Sequence, residues 1–256
     1  MMRAILSGVV LTGFAGACAS SSGDEAWIPI FDGETLDGWT PKISGQPLGQ
    51  DERAIFTAGD GVIRVSYQGY DKFENVFGHL YFRENLANYR LRFEYRFYGE
   101  QAPDGPAWAF MNSGVMVHAQ PPETMRTDQA FPISVEAQLL GSSDATPERT
   151  TANICTPGTH ITVEGEEVTQ HCIVSTTPAA SDGVWVSFEI EVRGRDQVRL
   201  QINGDDAFVL TDPVYDTTDP DVARLGWQGP VNEGYFALQA ESHPIEFRNI
   251  ALLRLD

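Results

Sequence analysis

Residues 89–97, YRLRFEYRF, put an aromatic or aliphatic side chain at every second position and a charged one between each pair. Successive side chains of a strand point to opposite faces, so this spacing describes a ribbon apolar on one side and wet on the other. Residues 184–193, VWVSFEIEVR, repeat the pattern, and residues 197–202, QVRLQI, repeat it again before Asn203-Gly204. Asn-Gly between alternating segments is a strong hairpin signal. Further strands are expected at 53–57, 61–67, 113–119, 133–140, 160–164, 206–210, 235–240 and 245–253. Helical periodicity is nearly absent. Many half-buried strands separated by Gly, Pro and Asp loops predict an all-β sandwich or barrel. Residues 141–182 read as a long insertion of low periodicity.

The chain has 256 residues, with 36 acidic and 17 basic side chains and a net charge of −19. Binding a phosphate backbone needs clustered Lys and Arg, so this balance argues against nucleic acid as a partner. It leaves neutral ligands and cations open. Residues 1–18 read as an export signal. Arg3 precedes an apolar run at 4–14 that is too short to span a bilayer, and Ala15-Gly16-Ala17-Cys18 resembles a bacterial lipobox. The expectation is an exported periplasmic or outer-membrane lipoprotein, lipidated on Cys18. A flexible tether at 19–26 and a β-sandwich domain at 27–256 would follow, with the lipid as the only membrane contact. Cys155 and Cys172 then remain. An isolated pair in an exported chain is most simply a disulfide. The competing reading is a metal site, because His160 and His171 lie nearby in sequence.

Three expected strands carry ligand-type side chains on their non-core faces. In 113–118, Val115 and Val117 form the apolar set, which leaves Met116 and His118 opposite. In 134–139, Val135, Ala137 and Leu139 leave Glu136 and Gln138. In 236–241, Phe236, Leu238 and Ala240 leave Gln239 and Glu241. Such a face is either the solvated outer side of a sandwich or a concave site for a sugar or a metal. His79 and His243 are candidates for the same surface. Among the tryptophans, Trp39 and Trp185 are expected as core anchors, while Trp108 and Trp227 are free to stack on sugars. Arg90, Arg92 and Arg96 with Glu94 read as a solvated, paired face. Neither a phosphate-binding glycine loop nor a Gly-x-Ser-x-Gly elbow occurs. The strand at Glu136 lacks the second carboxylate that a paired-carboxylate glycosidase requires.

Four segments in order resemble one family. They are 29–39 (PIFDGETLDGW), 112–118 (NSGVMVH), 131–139 (FPISVEAQL) and 238–250 (LQAESHPIEFRNI). Together they resemble the 3-keto-disaccharide hydrolases, also described as 3-keto-glucoside lyase/hydratases, and the cysteine pair is similar to that of one subgroup. The resemblance implies a concanavalin A-like jelly-roll sandwich of two antiparallel sheets. It also implies cleavage of 3-keto-glycosides by C2 deprotonation, β-elimination and hydration. Glu136 or His118 would be the base, and a divalent metal ion on those two residues would polarise the ketone. His79, Gln138, Gln239, Glu241 and His243 would contact the sugar. No nicotinamide cofactor is implied. The alternative on the same sandwich is a non-catalytic carbohydrate-binding module of the cell envelope.

Overall fold

The alternating segments become strands because each has one face that must leave water. The computed structural model describes residues 26–256, so the signal, Cys18 and nearly all of the tether lie outside the described residues. Segment 89–97 falls in the strand Asn88–Phe97, and 184–193 in Val186–Arg193. Gln197–Ile202 turns at Asn203-Gly204 into Asp205–Tyr215. Both turn residues have positive φ, 53° and 86°, as this tight hairpin requires.

Two large sheets face each other, as expected for the jelly-roll sandwich. The ten-stranded sheet runs Glu166–Val168, Thr159–Val163, Asp205–Tyr215, Gln197–Ile202, Val186–Arg193, Asn88–Phe97, Ile245–Arg254, Val62–Val65 and Phe56–Gly59, with Ile28–Pro29 paired to Ile245–Arg254. The eight-stranded sheet runs Cys172–Ile173, Ile154–Cys155, Val135–Ser142, Asn112–Ala119, Tyr235–Ala240, Gly78–Phe82 and Trp39–Ile43. One short parallel pair, Ala180–Ser181 against Val135–Ser142, departs from the antiparallel rule.

Leu91, Phe93, Tyr95 and Phe97 point between the sheets and join Val115, Val135, Leu139, Phe236 and Leu238 in one core cluster. Phe93 and Phe188 stack at 4.8 Å. Fully burying each such side chain contributes roughly 1.5–3 kcal/mol. Trp39 is a core anchor as expected, set edge-on against Phe82 and Phe236. Trp185 is not. It lies on the outer face of the larger sheet beneath Arg248, whose guanidinium carbon is 3.9 Å from its ring centroid. The arginine stripe on that face is paired: Arg90 with Glu189 at 2.6 Å, Arg96 with Glu246 at 2.7 Å, and Arg248 with Glu94 at 2.5 Å.

The smaller sheet differs from the expectation of one wet face. Every residue of Asn112–Ala119 is buried. Tyr81, Met116, Ala119, Met125 and Ala237 make a second apolar cluster on its outer side. Burial on both faces erases the period-two pattern, which is why Gly78–Phe82 escaped the sequence reading. Trp39–Ile43 escaped for another reason. It contains Pro41, tolerated here because the strand is at the sheet edge.

Residues 141–182 are not structureless. They form short strands, of which Ile154–Cys155 and Cys172–Ile173 extend the smaller sheet. The described residues include one α-helix, Pro220–Leu225, whose Asp219 cap accepts from the amides of Asp221 and Val222 and whose end is Gly226 in the left-handed region.

Candidate functional site

Strand register assembles a polar row on the outer face of the smaller sheet. His79 pairs with Gln239 and Lys42, Gly114 with Gln138, and Met116 with Glu136. Glu136 in turn faces Cys155, and Cys155 faces Cys172. Gly114 lets the row close. A Cβ there would meet Glu136 Oε1 at 2.5 Å and its Cγ at 2.9 Å, so the carboxyl leans across the bare glycine toward the Tyr235–Ala240 strand.

These side chains are not solvated. Glu136 is 6% exposed, Glu241 3%, and His79 and His243 1% each, which excludes the wet-face alternative for them. Yet several polar atoms have no protein hydrogen-bond partner: His79 Nε2, both amide atoms of Gln239, Glu241 Oε2, and both ring nitrogens of His243. Leaving a buried polar group unpaired costs about 1–3 kcal/mol. Such a concentration in one place marks a surface shaped for a ligand or for water.

Glu136 and Glu241 line one cavity of about 240 Å³ with Trp108, Asn112, Phe131, Gln138, Cys155, Pro157, His171 and Cys172. Phe77 stacks under Trp108 and abuts Phe131, so one wall is aromatic. Trp108 itself is 55% exposed and offers a free face. Gln138 Oε1 accepts from Asn153 at 3.4 Å.

Burial sets the protonation states. It pushes the Glu136 carboxyl up to about 8. Burial also raises Glu241 well above the ordinary carboxylate range; the neighbouring Glu136 charge adds to the rise and Arg149 opposes it. Arg149 donates to the carbonyls of Phe110, Gly141 and Trp108. Burial pushes His79 down to about 3, helped by Lys42, and His243 down to about 4, helped by Arg149. Both imidazoles are therefore neutral near pH 7, each with one donor and one acceptor nitrogen.

His118 does not join this group. Its φ is 51°, and the pairing slips there, with Met116 opposite Ala237 but Ala119 opposite Tyr235. The slip is a β-bulge, which re-aims a side chain. The His118 backbone packs on Gly234, where a Cβ would come 2.4 Å from its carbonyl carbon, and its ring reaches the backbone of Gly194 in a turn of the opposite sheet. Burial lowers its pKa to about 4. The residues lining the Glu136 cavity do not include it, nor do they include His79, Gln239 and His243, which were expected to contact the sugar and are fully buried beside the cavity.

The Cys155–Cys172 disulfide forms as expected. Cys155, His171 and Cys172 are the one cluster among the described residues with three candidate ligand atoms in mutual reach, and the disulfide removes both thiolates from it. His118 and Glu136 do not come together as a metal pair, so this donor set does not fit the expected ion. His160 sits instead 3.6 Å from Asp216.

A family model described as a 3-keto-alpha-glucoside-1,2-lyase-like domain matches residues 26–253. The chain belongs to this family. Membership makes it a carbohydrate-related protein. No curated protein matches the chain. Among solved structures, a protein of Parabacteroides distasonis ATCC 8503 provisionally described as a glycosyl hydrolase is 18% identical. Its TM-score is 0.54, covering 91% of this chain and 95% of that one. A second from the same organism is 17% identical at TM-score 0.52, covering 90% and 100%. A carbohydrate-binding module of Bacillus subtilis is 10% identical at TM-score 0.50, covering 88% and 99%. At these identities the likeness concerns the fold.

For this lyase-like domain, sequence reasoning missed Gly114, Asn112, Phe131 and Arg149. Gly114 gave no signal because its role is an absence of side chain. Phe131 and Arg149 come from loops, whose contacts no periodicity reports.

Proposed function

We propose that this protein cleaves 3-keto-glycosides by elimination followed by hydration. The observation that carries the reading is the pair of buried carboxyls in one cavity, Glu136 pushed up to about 8 and Glu241 raised well above the ordinary carboxylate range. Two interacting buried carboxyls give up their protons one after the other, so one can serve as base while the other stays protonated. A ketone at C3 acidifies the C2 proton. Glu136 removes it, and Glu241, kept protonated, donates a hydrogen bond to the C3 oxygen as enolate charge develops. The enolate re-forms the ketone and expels the C1 substituent. Water then adds at C1 while Glu136 returns its proton to C2, for net hydrolysis. Asn112 and Gln138, which line the cavity with the two glutamates, supply partners for the sugar's oxygens. No step here is routed through a metal.

The sandwich would equally suit a non-catalytic sugar-binding module. A binding site gains nothing from a carboxyl held near pH 8, whereas a base working near neutrality does. Export and lipidation at Cys18 belong to the same proposal, and the disulfide accords with an oxidising compartment. Labelling cells with a palmitate analogue tests the anchor: wild type carries the tag, and a tagged Cys18→Ser protein overturns it.

The test of function is incubation of purified protein with a chemically prepared 3-keto-disaccharide, following release of the second unit by mass spectrometry with and without EDTA. Release by wild type and its loss in Glu136→Gln support the reading. Binding without release supports the binding module.

A further inference from the structure

The elimination needs a second proton transfer that the two glutamates do not supply. The departing glycosidic oxygen leaves as an alkoxide unless it is protonated, and it lies where the keto-sugar ends and the leaving unit begins. The structure contains such a boundary. Beside the Glu136 cavity, and sharing lining residues with it, is a polar cleft of about 370 Å³ walled by Arg126, Gln129, His160 and Asp216. Only Phe131, Pro157 and His171 line both spaces, and His171 alone of the three carries a transferable proton.

Its placement follows from register. Glu136, Cys155 and Cys172 are consecutive partners across three strands, which sets Glu136 and Cys172 roughly 10 Å apart along the sheet. His171 precedes Cys172, and its ring nitrogen lies within 4.8 Å of both sulfurs. The Glu136 carboxyl leans the other way, over Gly114. Cys155, which pairs with Glu136 and precedes Cys172 in the row, lines the same cavity as the carboxyl, the imidazole and Gln138, so the cavity lies between the two groups. A ring in that cavity presents C2 to one end and its glycosidic oxygen to the other. Thr156 donates its amide to the His171 carbonyl at 2.9 Å, and the disulfide holds the next residue, so an exposed side chain is carried on a fixed backbone.

We propose that His171 is the proton donor to the departing glycosidic oxygen and that the Cys155–Cys172 disulfide positions it. This rests on the reading of the cavity as an eliminating site. The C2–H bond breaks to Glu136, and its electron pair forms the enolate. The enolate pair then forms C1=C2 as the C1–O bond breaks, and the leaving oxygen takes the imidazolium proton. In hydration the neutral imidazole takes a proton from the water that attacks C1, and Glu136 returns its proton to C2. Both groups end as they began.

Leaving-group dependence is the test. A 3-keto-disaccharide expels a poor leaving group that needs the acid. A 3-keto-nitrophenyl glucoside expels a phenolate that does not. His171→Ala is expected to lose about 10²-fold in kcat on the disaccharide and to keep its rate on the nitrophenyl glucoside, with added imidazole restoring part of the loss. Cys155→Ser/Cys172→Ser is expected to show a smaller loss in the same direction. Equal loss on both substrates, or none on either, overturns the proposal. Wild type inactive on both substrates overturns the eliminating-site reading itself and this proposal with it.

Discussion

Gly114 and Glu136 carry the reading at the scale of single residues. Because a Cβ at 114 would fall 2.5 Å from Glu136 Oε1, Gly114→Ala displaces the carboxyl without touching it chemically. The obstructed atoms, Oε1 and Cγ, belong to one buried side chain that must turn away as a whole, so a modest loss of stability accompanies a fall in turnover of about 10²-fold or more. Steady-state rates and thermal melting measured together check this. Unaltered turnover would show that the carboxyl need not lie over the glycine. Glu136→Gln should also cost about 10²- to 10⁴-fold in turnover, and its effect on stability depends on pH. A carboxyl raised from 4.5 to about 8 is protonated in the native protein at pH values where the unfolded chain has released the proton. The native state then binds more protons, so this group's contribution is complete below about 4.5 and is lost as pH rises through 8. Glu136→Gln should therefore melt higher than wild type at pH 8–9. A lower melting temperature there would contradict the burial assigned to this carboxyl.

Strands and the loops between them show which parts of the molecule were legible in the sequence. Where one face is apolar and the other charged, as in Asn88–Phe97 and Val186–Arg193, alternation located the strand to within two residues. Alternation also placed Glu136, Gln138, Gln239 and Glu241 on the non-core side, and His79 and His243 were named with them. It failed at His118, because a bulge breaks the period that the inference assumes and nothing in NSGVMVH announces one. Within 141–182 it found the strand at 160–164, observed as Thr159–Val163, and missed the others, which at two or three residues are too short to show a period. The disulfide ties that segment together. Its cysteines are 17 residues apart, so removing it should cost about 3 kcal/mol in the chain-entropy account. Denaturant unfolding of Cys155→Ser/Cys172→Ser measures this. No change in midpoint would mean that the closed loop is held entirely by its other contacts.

The whole sandwich divides its two outer faces between two tasks. The larger sheet turns paired arginines and glutamates to solvent, while the smaller sheet is covered on both sides and keeps unpaired polar atoms in the space beneath its covering loops. The balance of titrating groups follows from this. Burial lowers His79, His118 and His243 and raises Glu136 and Glu241. The lowered histidines contribute stability above their unfolded value near 6.5 and lose it as pH falls toward 3–4. The raised carboxyls lose theirs as pH rises. Above about 6.5 only the carboxyl effect remains, so the melting temperature should decline from pH 6.5 to 8.5, less steeply in Glu136→Gln. A melting temperature that rises across that interval would contradict the burial of the two glutamates.

Elimination leaves a record that direct hydrolysis does not, because C2 gives up its proton and later regains one. Turnover of a 3-keto-disaccharide in heavy water, with mass spectrometry of the released 3-keto-sugar, reads that record. The leaving unit departs and water enters before C2 is reprotonated, and in that interval the Glu136 carboxyl exchanges its proton with solvent; the account therefore predicts one deuterium bonded to carbon at C2 of the product, and no such product from Glu136→Gln. Release of the 3-keto-sugar with protium retained at C2 would contradict it.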